Sequence, residues 1–269
     1  MSTAPLLIDR QGPVETWTLH DPTSRNALND AMVDGLHSAC VRAAQDTTLR
    51  IVVLTGAGGA FCAGGSLGGF AKLIGQPLPA GQTDPLLAMN RGFGDLLHAL
   101  SNLPQLLVCR VDGAAMGGGF GLVCCADHVV ATTRSVLGTP EVTLGLPPAQ
   151  IAPLVWQRLG ESAARQCLLQ GLSYTAAQAL QVGLVNEVIQ EDSDEAWQTT
   201  LTRLMRAAPA AVASTKALLR QLRGPVPDLR DAAAQAFASG LRSGEAAQGL
   251  AAFARKQPAP WALSGKEPE

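Results

Sequence analysis

Two short, nearly all-apolar runs constrain the fold of this chain more than any other feature. The first, Ile51 to Thr55, is rich in β-branched residues, which is typical of a strand buried on both faces. The second, Leu106 to Val111, has the same character. Each run is followed by a turn of small residues, and helical patterns come later along the chain. This recurring order of strand, turn and helix predicts an α/β fold.

The two turns of small residues carry the first functional signal. Cys62 to Gly65 follows the first strand, and Gly117 to Gly119 follows the second. Glycine lets backbone N–H groups approach a ligand closely, and the start of a helix adds the positive end of its dipole. Two such turns can each donate one N–H to the same oxygen, which makes an oxyanion hole. Downstream, Glu141 lies between Pro140 and apolar residues. Two donors and one carboxylate indicate chemistry beside a carbonyl that becomes an enolate.

Composition and charge exclude several classes of function. The chain has 269 residues and a formal net charge of -2, so it can bury a large core and offers no basic stripe for nucleic acid. No apolar run is long enough to span a membrane. The first residues lack the cationic and apolar regions of a secretory signal, so we expect a cytoplasmic protein.

Cysteine and histidine are placed in a way that argues against a metal site. The six cysteines show no C-x-x-C spacing and several lie in apolar runs, which predicts reduced core residues. The four histidines are scattered without ligand spacing. The residues concerned are Cys40, Cys62, Cys109, Cys124, Cys125, Cys167, His20, His37, His98 and His128.

The pattern along the chain also divides it into two regions. A core of strands and helices is predicted for residues 1–192, and a helical region for residues 193–269. From about Glu161 the sequence becomes rich in Ala, Leu and Gln. The further elements predicted are strands Leu6 to Ile8, Val14 to Leu19 and His128 to Ala131, and helices Asn29 to Ala44, Leu86 to Leu100, Ser162 to Leu169, Thr175 to Val182, Glu195 to Arg206, Ala210 to Leu222, Leu229 to Leu241 and Gly244 to Arg255.

Six segments, taken in order, resemble the crotonase family, which is the enoyl-CoA hydratase/isomerase superfamily. Each segment alone is weak, and their common order makes the resemblance specific. It covers nearly the whole chain. The segments are SRNALN (Ser24 to Asn29), RIVVLTGAGGAFCAGG (Arg50 to Gly65), VDGAAMGGGFGLVCCAD (Val111 to Asp127), TPEVTLGLPP (Thr139 to Pro148), GLVNEV (Gly183 to Val188) and AAFARKQP (Ala251 to Pro258).

This resemblance implies a fold, a ligand and an assembly. The fold is a spiral of ββα turns followed by a C-terminal helical region for trimerisation, and the assembly is a homotrimer or a homohexamer of paired trimers. The ligand is an acyl-CoA thioester, with coenzyme A as part of the substrate and no permanently bound cofactor. Carried over by position, the oxyanion donors are the N–H groups of Gly65 and Gly118, and Glu141 is the general acid/base. The coenzyme A contacts fall on Asn26, Ala27, Leu28, Ala63 and Lys256, although Lys256 also fits an ordinary exposed lysine.

The chain departs from the family pattern at two places that affect its chemistry. Hydratases of the family use two glutamates, and the first of these positions is Gly121 here. One carboxylate puts crotonyl-type hydration in doubt and resembles the enoyl-CoA isomerases. After the Glu141 segment, Ala149, Gln150 and Ile151 replace glycines of the family's PGxGGT turn. The resulting PPAQIAP is similar to the isohexenylglutaconyl-CoA hydratase branch. For Gln150 itself we expect a helix-capping role.

We therefore predict an enoyl-CoA hydratase that uses Glu141 alone, and four alternative classes are considered beside it. The same glutamate would serve an enoyl-CoA isomerase, and a non-catalytic acyl-CoA-binding relative is a further possibility. Ser66 lies in a G-x-S-x-G motif, but a serine hydrolase needs that serine directly after a strand. A dinucleotide-binding loop is a poor match, because Phe61 fills its third glycine position.

Overall fold

The computed structural model describes residues 4–66, 68, 70–191, 193–222 and 228–262. In this part of the chain the strands are β1 (Leu6–Gln11), β2 (Val14–Leu19), β3 (Ile51–Gly56), β4 (Leu106–Val111), β5 (Ala114–Met116), β6 (His128–Thr132), β7 (Val136–Gly138), β8 (Ser173–Thr175) and β9 (Glu187–Ile189). The helices are α1 (Asp30–Gln45), α2 (Pro85–Ser101), α3 (Gly118–Cys124), α4 (Ala152–Gln170), α5 (Ala176–Gln181), α6 (Asp194–Leu204), α7 (Pro209–Leu222), α8 (Arg230–Leu241) and α9 (Gly244–Ala254).

Two sheets organise the chain. The larger has the order β1-β2-β3-β4-β6-β9, and only the β1–β2 pair is antiparallel. Its central strands β3 and β4 are buried almost throughout, as their apolar sequences predict. The smaller sheet has the order β5-β7-β8. Because its strands have only three residues each, they carry no readable periodicity, and the sequence analysis missed this sheet.

Most predicted helices agree with the structure within a few residues. Helix α1 begins after Asn29, whose side-chain oxygen accepts a hydrogen bond from the Met32 amide at 2.9 Å, as a helix N-cap does. Its buried face includes Met32, Leu36, Cys40 and Ala43, which are the residues predicted. Helix α4 is a correction, because it starts at Ala152 rather than at Ser162. Gly160 interrupts it with non-helical backbone angles, so only the second half showed a clear helical pattern.

The C-terminal helices cover two sides of the molecule. Trp197 of α6 is buried against the face of the large sheet that presents Val53, Val108 and Val130. On another side, α8 packs along α2. Helix α9 packs against the short 3-10 helix Pro140–Leu144, which carries the predicted catalytic glutamate.

The predicted division into residues 1–192 and 193–269 stays a prediction. The last strand ends at Ile189, and α6 begins at Asp194. Among the residues that the structure describes, none of the helices has the length and apolar character that crossing a membrane requires.

Candidate active site

The two small-residue turns meet at the ends of β3 and β4. Cys62 pairs with Ala115 in a parallel bridge, and the Met116 amide donates to the Cys62 carbonyl at 2.9 Å. Gly64 has φ +95°, and a Cβ at this residue would lie 2.8 Å from the Met116 carbonyl oxygen and 3.5 Å from the Gly118 nitrogen. Only glycine fits this approach, so Gly64 allows the two turns to touch.

The two predicted oxyanion donors lie side by side. The Gly65 nitrogen is 3.7 Å from the point where a Cβ on Gly118 would sit. Within the described residues, neither of these two amides donates a hydrogen bond to the protein. Gly118 is also the first residue of α3, where amides have no acceptor inside the helix. The turns thus present two neighbouring N–H groups that can bind one carbonyl oxygen.

Glu141 lies against the second turn. Its Oε1 is 2.8 Å from the point where a Cβ on Gly117 would sit, and Gly117 has φ +53°. Its Oε2 is buried and has no hydrogen-bond partner among the described residues. Burial raises the pKa of Glu141 to about 7, from an ordinary value of 4.5. A carboxyl group with a pKa near neutrality can both accept and return a proton.

Neighbouring backbone and side-chain contacts hold the glutamate in place. The Leu146 amide donates to the Glu141 carbonyl at 3.0 Å. The buried Thr139 hydroxyl donates to the Cys167 carbonyl at 2.9 Å, which ties the start of this turn to α4. From the other side, a Cβ on Gly249 of α9 would lie 2.5 Å from the Leu144 carbonyl oxygen. Helix α9 therefore touches the turn through its backbone.

Apolar side chains surround the two donors. A Cβ on Gly118 would lie 2.9 Å from Leu28 Cδ1 and 3.2 Å from Phe93 Cζ, and a Cβ on Gly65 would lie 3.9 Å from Phe70 Cε2. The Phe70 ring packs edge-on against Phe237 of α8, with 5.9 Å between centroids. Sequence reasoning expected the loop from Gly68 to Pro85 and the helix after it to shape the pocket, but it did not single out Phe70 or Phe93. These walls suit an apolar ligand chain.

Ile151 fills the space beside Gly121, the position at which hydratases of the family carry their first glutamate. A Cβ on Gly121 would overlap Cγ2 of Ile151, and it would lie 3.1 Å from Cβ of Ile151 and 3.8 Å from Leu97 Cδ2. Gln150 next to it is not a helix cap, which corrects the prediction. Its buried Nε2 donates to Asn90 Oδ1 at 2.8 Å and to the Arg230 carbonyl at 2.9 Å.

The segment predicted to contact coenzyme A is tied to the first oxyanion turn. The Leu28 amide donates to the Gly64 carbonyl at 2.8 Å, and the Ala63 amide donates to the Arg25 carbonyl at 3.0 Å. Asn26 is fully buried; its Oδ1 accepts from the Asp21 amide and its Nδ2 donates to the Ala57 and Ala60 carbonyls, each at 2.8 Å. Its side chain therefore organises the loop.

Ala27 and Lys256, the two remaining residues predicted to contact coenzyme A, differ in their exposure. Ala27 is half-buried in the same loop. Lys256 is exposed after the end of α9, with φ +53°, and its side chain forms no ion pair or hydrogen bond with any described residue.

The serine hydrolase alternative is not supported by the geometry. Strand β3 ends at Gly56, ten residues before Ser66. His98 is exposed on α2, and Nε2 of His128 is bonded to Glu187 Oε1 at 2.9 Å. The structure therefore pairs no histidine with Ser66 in the part of the chain it describes. In that same part, no group of three His, Cys, Asp or Glu residues is placed to hold a metal ion, and the six cysteines are free and buried.

Comparison with known proteins identifies the family of the chain. Residues 9–264 match the family model described as enoyl-CoA hydratase/isomerase. A 2,3-dehydroadipyl-CoA hydratase of Escherichia coli (strain K12) is 34% identical over 218 residues, covering 80% of this chain and 82% of that protein.

Solved structures show the same likeness. An enoyl-CoA hydratase/isomerase from Marinobacter aquaeolei is 37% identical with a TM-score of 0.77, covering 96% of this chain and 99% of the other. Pseudomonas aeruginosa AtuE is 38% identical with a TM-score of 0.76, covering 96% and 100%. These matches confirm the predicted crotonase fold. The chain belongs to the enoyl-CoA hydratase/isomerase family.

Proposed function

We propose that this protein adds water to the double bond of an enoyl-CoA, using Glu141 as its one catalytic carboxylate. The observation that carries the proposal is the position of Glu141 Oε1, which lies against Gly117 next to the paired amides of Gly65 and Gly118. The names of the relatives support the same reaction, since the Escherichia coli relative is named as a hydratase of an enoyl-CoA.

The proposed reaction needs one proton carrier and one oxyanion site. The thioester oxygen accepts hydrogen bonds from the Gly65 and Gly118 amides. Glu141 takes a proton from water while the water oxygen bonds to C3, and the π electrons move toward the thioester oxygen. The two amides stabilise the resulting enolate, and each such donor typically contributes about 3 kcal/mol to the transition state. Glu141 then returns the proton to C2, so that one water molecule is added in total.

A second candidate is enoyl-CoA double-bond isomerisation. The observation that favours it is Gly121, which leaves Glu141 without the second carboxylate that family hydratases use to hold water. In this reaction Glu141 would remove a proton from C2 of a 3-enoyl-CoA and return it to C4, which gives the conjugated 2-enoyl-CoA. In the reverse direction it would remove a proton from C4 of the conjugated ester and return it to C2. The same two amides would stabilise the dienolate between these steps.

Isotope labelling of the product distinguishes the two reactions. Conjugated enoyl-CoA esters, incubated with the protein in ¹⁸O-labelled water, should give 3-hydroxyacyl-CoA that carries ¹⁸O at C3. A product with a shifted double bond, deuterium from deuterated water and no ¹⁸O would favour the isomerase. If neither product forms across a panel of chain lengths while the esters still bind, the protein is a binding relative and the proposal fails.

Several finer features stay predictions. Contacts of coenzyme A with Asn26, Ala27, Leu28, Ala63 and Lys256 rest on the resemblance, as does the absence of a permanent cofactor. The similarity of PPAQIAP to the isohexenylglutaconyl-CoA hydratase branch has the same standing. The homotrimer or homohexamer is tested by sedimentation equilibrium, where a monomeric mass would contradict it.

A further inference from the structure

The side chains of Gln150 and Ile151 pack against two glycines that lie in helices beside the site. Ile151 is 2% exposed, and it occupies the space that a side chain on Gly121 of α3 would need. Gln150 is 7% exposed, and a Cβ on Gly94 of α2 would lie 2.8 Å from its Cδ. Because glycine costs a helix about 1 kcal/mol relative to alanine, two glycines at these contacts indicate a packing requirement.

Hydrogen bonds fix this segment from both sides. The Gln150 amide nitrogen bridges Asn90 of α2 and the carbonyl of Arg230 at the start of α8. A Cβ on Gly94 would also lie 3.2 Å from Arg230 Cγ. These contacts anchor Gln150, the residue directly before Ile151, to α2 and α8. Ile151 itself is buried against Gly121 of α3.

The contact between Gly121 and Ile151 lies about one helical turn from the Gly118 amide. Gly118 and Gly121 are three residues apart in α3, so they share one helix face with about 5 Å between them. By the family resemblance, position 121 is also where a hydratase carries its first catalytic glutamate. Glu141 approaches the same region from the side of Gly117. Ile151 and Leu97 are the side chains nearest to a Cβ placed on Gly121.

We propose that Ile151 is a specificity-determining residue that restricts this site to one carboxylate. Its side chain occupies the space from which a glutamate at position 121 would reach a water molecule, so Gly121 and Ile151 form one coupled unit. This inference rests on the proposed hydration or isomerisation at Glu141. Its structural part, the mutual exclusion of side chains at 121 and 151, can be measured independently of activity.

A double-mutant cycle in thermal unfolding tests the exclusion. G121A alone should lower the melting temperature by about 3 to 8 °C, because overpacking a tight core is destabilising. In an I151A background, the same G121A substitution should lower it by less than half as much. G92A is the matched control, since a Cβ on Gly92 of α2 meets nothing within 4 Å, and it should cause no loss. Additive losses from G121A and I151A would overturn the proposal.

A gain of activity tests the specificity. Crotonyl-CoA hydration is measured for I151G, G121E and the double variant G121E/I151G, each checked for folding by circular dichroism. The double variant should exceed both single variants by at least about a hundredfold in kcat/KM, which is the low end for a restored acid/base group. A folded double variant with no gain would overturn the role of Ile151. Full activity of E141Q would instead overturn the proposed function, while leaving the unfolding cycle intact.

Discussion

Glu141 Oε1 lies 2.8 Å from the point where a Cβ on Gly117 would sit, so the missing side chain of Gly117 makes room for the carboxylate. Gly117 directly precedes Gly118, whose amide is one of the two oxyanion donors proposed here. The acid/base group and the oxyanion site are therefore joined through adjacent residues of one turn. Any change in this turn should affect both.

We expect G117A to reduce kcat by at least about tenfold, because the new methyl group displaces the carboxylate. Since Gly117 has φ +53°, alanine should also cost about 1 to 3 kcal/mol of stability. Gly12 provides the control: it has φ +60°, and a Cβ there meets nothing within 4 Å. G12A should therefore lose stability but keep kcat. Equal kcat values for G117A and the unmodified protein would contradict the role of this contact.

The pH dependence of the reaction should report the pKa of Glu141. Proton removal requires the carboxylate form, and burial raises the pKa of this group to about 7. We expect kcat/KM to rise tenfold for each pH unit below about 7 and to level off above it. Measurement of initial rates between pH 5 and 9 checks this. A profile that is flat down to pH 5 would show that a carboxyl group with an ordinary pKa carries the reaction.

The same raised pKa predicts how stability changes with pH. Between pH 4.5 and about 7 the native state keeps a proton on Glu141 that the unfolded state has lost, so stability falls as the pH rises through this window. E141Q does not titrate and should gain about 2 to 3 kcal/mol over the unmodified protein between pH 5 and pH 8. Urea unfolding at the two pH values measures the difference. An unchanged difference would mean that Glu141 is not buried as described.

Asn26 should contribute to the stability of the fold through its buried hydrogen bonds. N26A removes donors to the Ala57 and Ala60 carbonyls and an acceptor for the Asp21 amide. Loss of these buried partners should cost about 2 to 4 kcal/mol of unfolding free energy. Denaturant unfolding gives this value, and a loss below 0.5 kcal/mol, on the order of ordinary surface substitutions, would contradict the loop-organising role.

The sequence predicted those parts of the site that local patterns encode. The paired turns around Gly65 and Gly118 follow recognisable strands, and Glu141 lies in a distinctive Pro-Glu segment. The long helices agree because their apolar periodicity is strong. By contrast, the three-residue strands β5, β7 and β8 are defined by pairing between distant segments, so no local pattern shows them.

The contact between Gly121 and Ile151 also lay beyond sequence reasoning. Both residues were recognised as departures from the family pattern, but nothing in the sequence joins positions 30 residues apart. The one available signal was glycine itself: Gly94 and Gly121 occur inside helices, where glycine usually marks a close approach. The predicted helix-capping role of Gln150 was wrong for a related reason, because its hydrogen-bond partners Asn90 and Arg230 come from two other helices.

The central claim is that Glu141 is the single acid/base group of this site, and the isosteric variant E141Q tests it most directly. Turnover of a conjugated enoyl-CoA is measured together with the Kd of a saturated acyl-CoA. We predict a fall in kcat of at least about 10³-fold, since the glutamate both takes and returns the proton, with a Kd unchanged within about threefold. A folded E141Q protein that keeps kcat within tenfold of the unmodified protein would contradict the account.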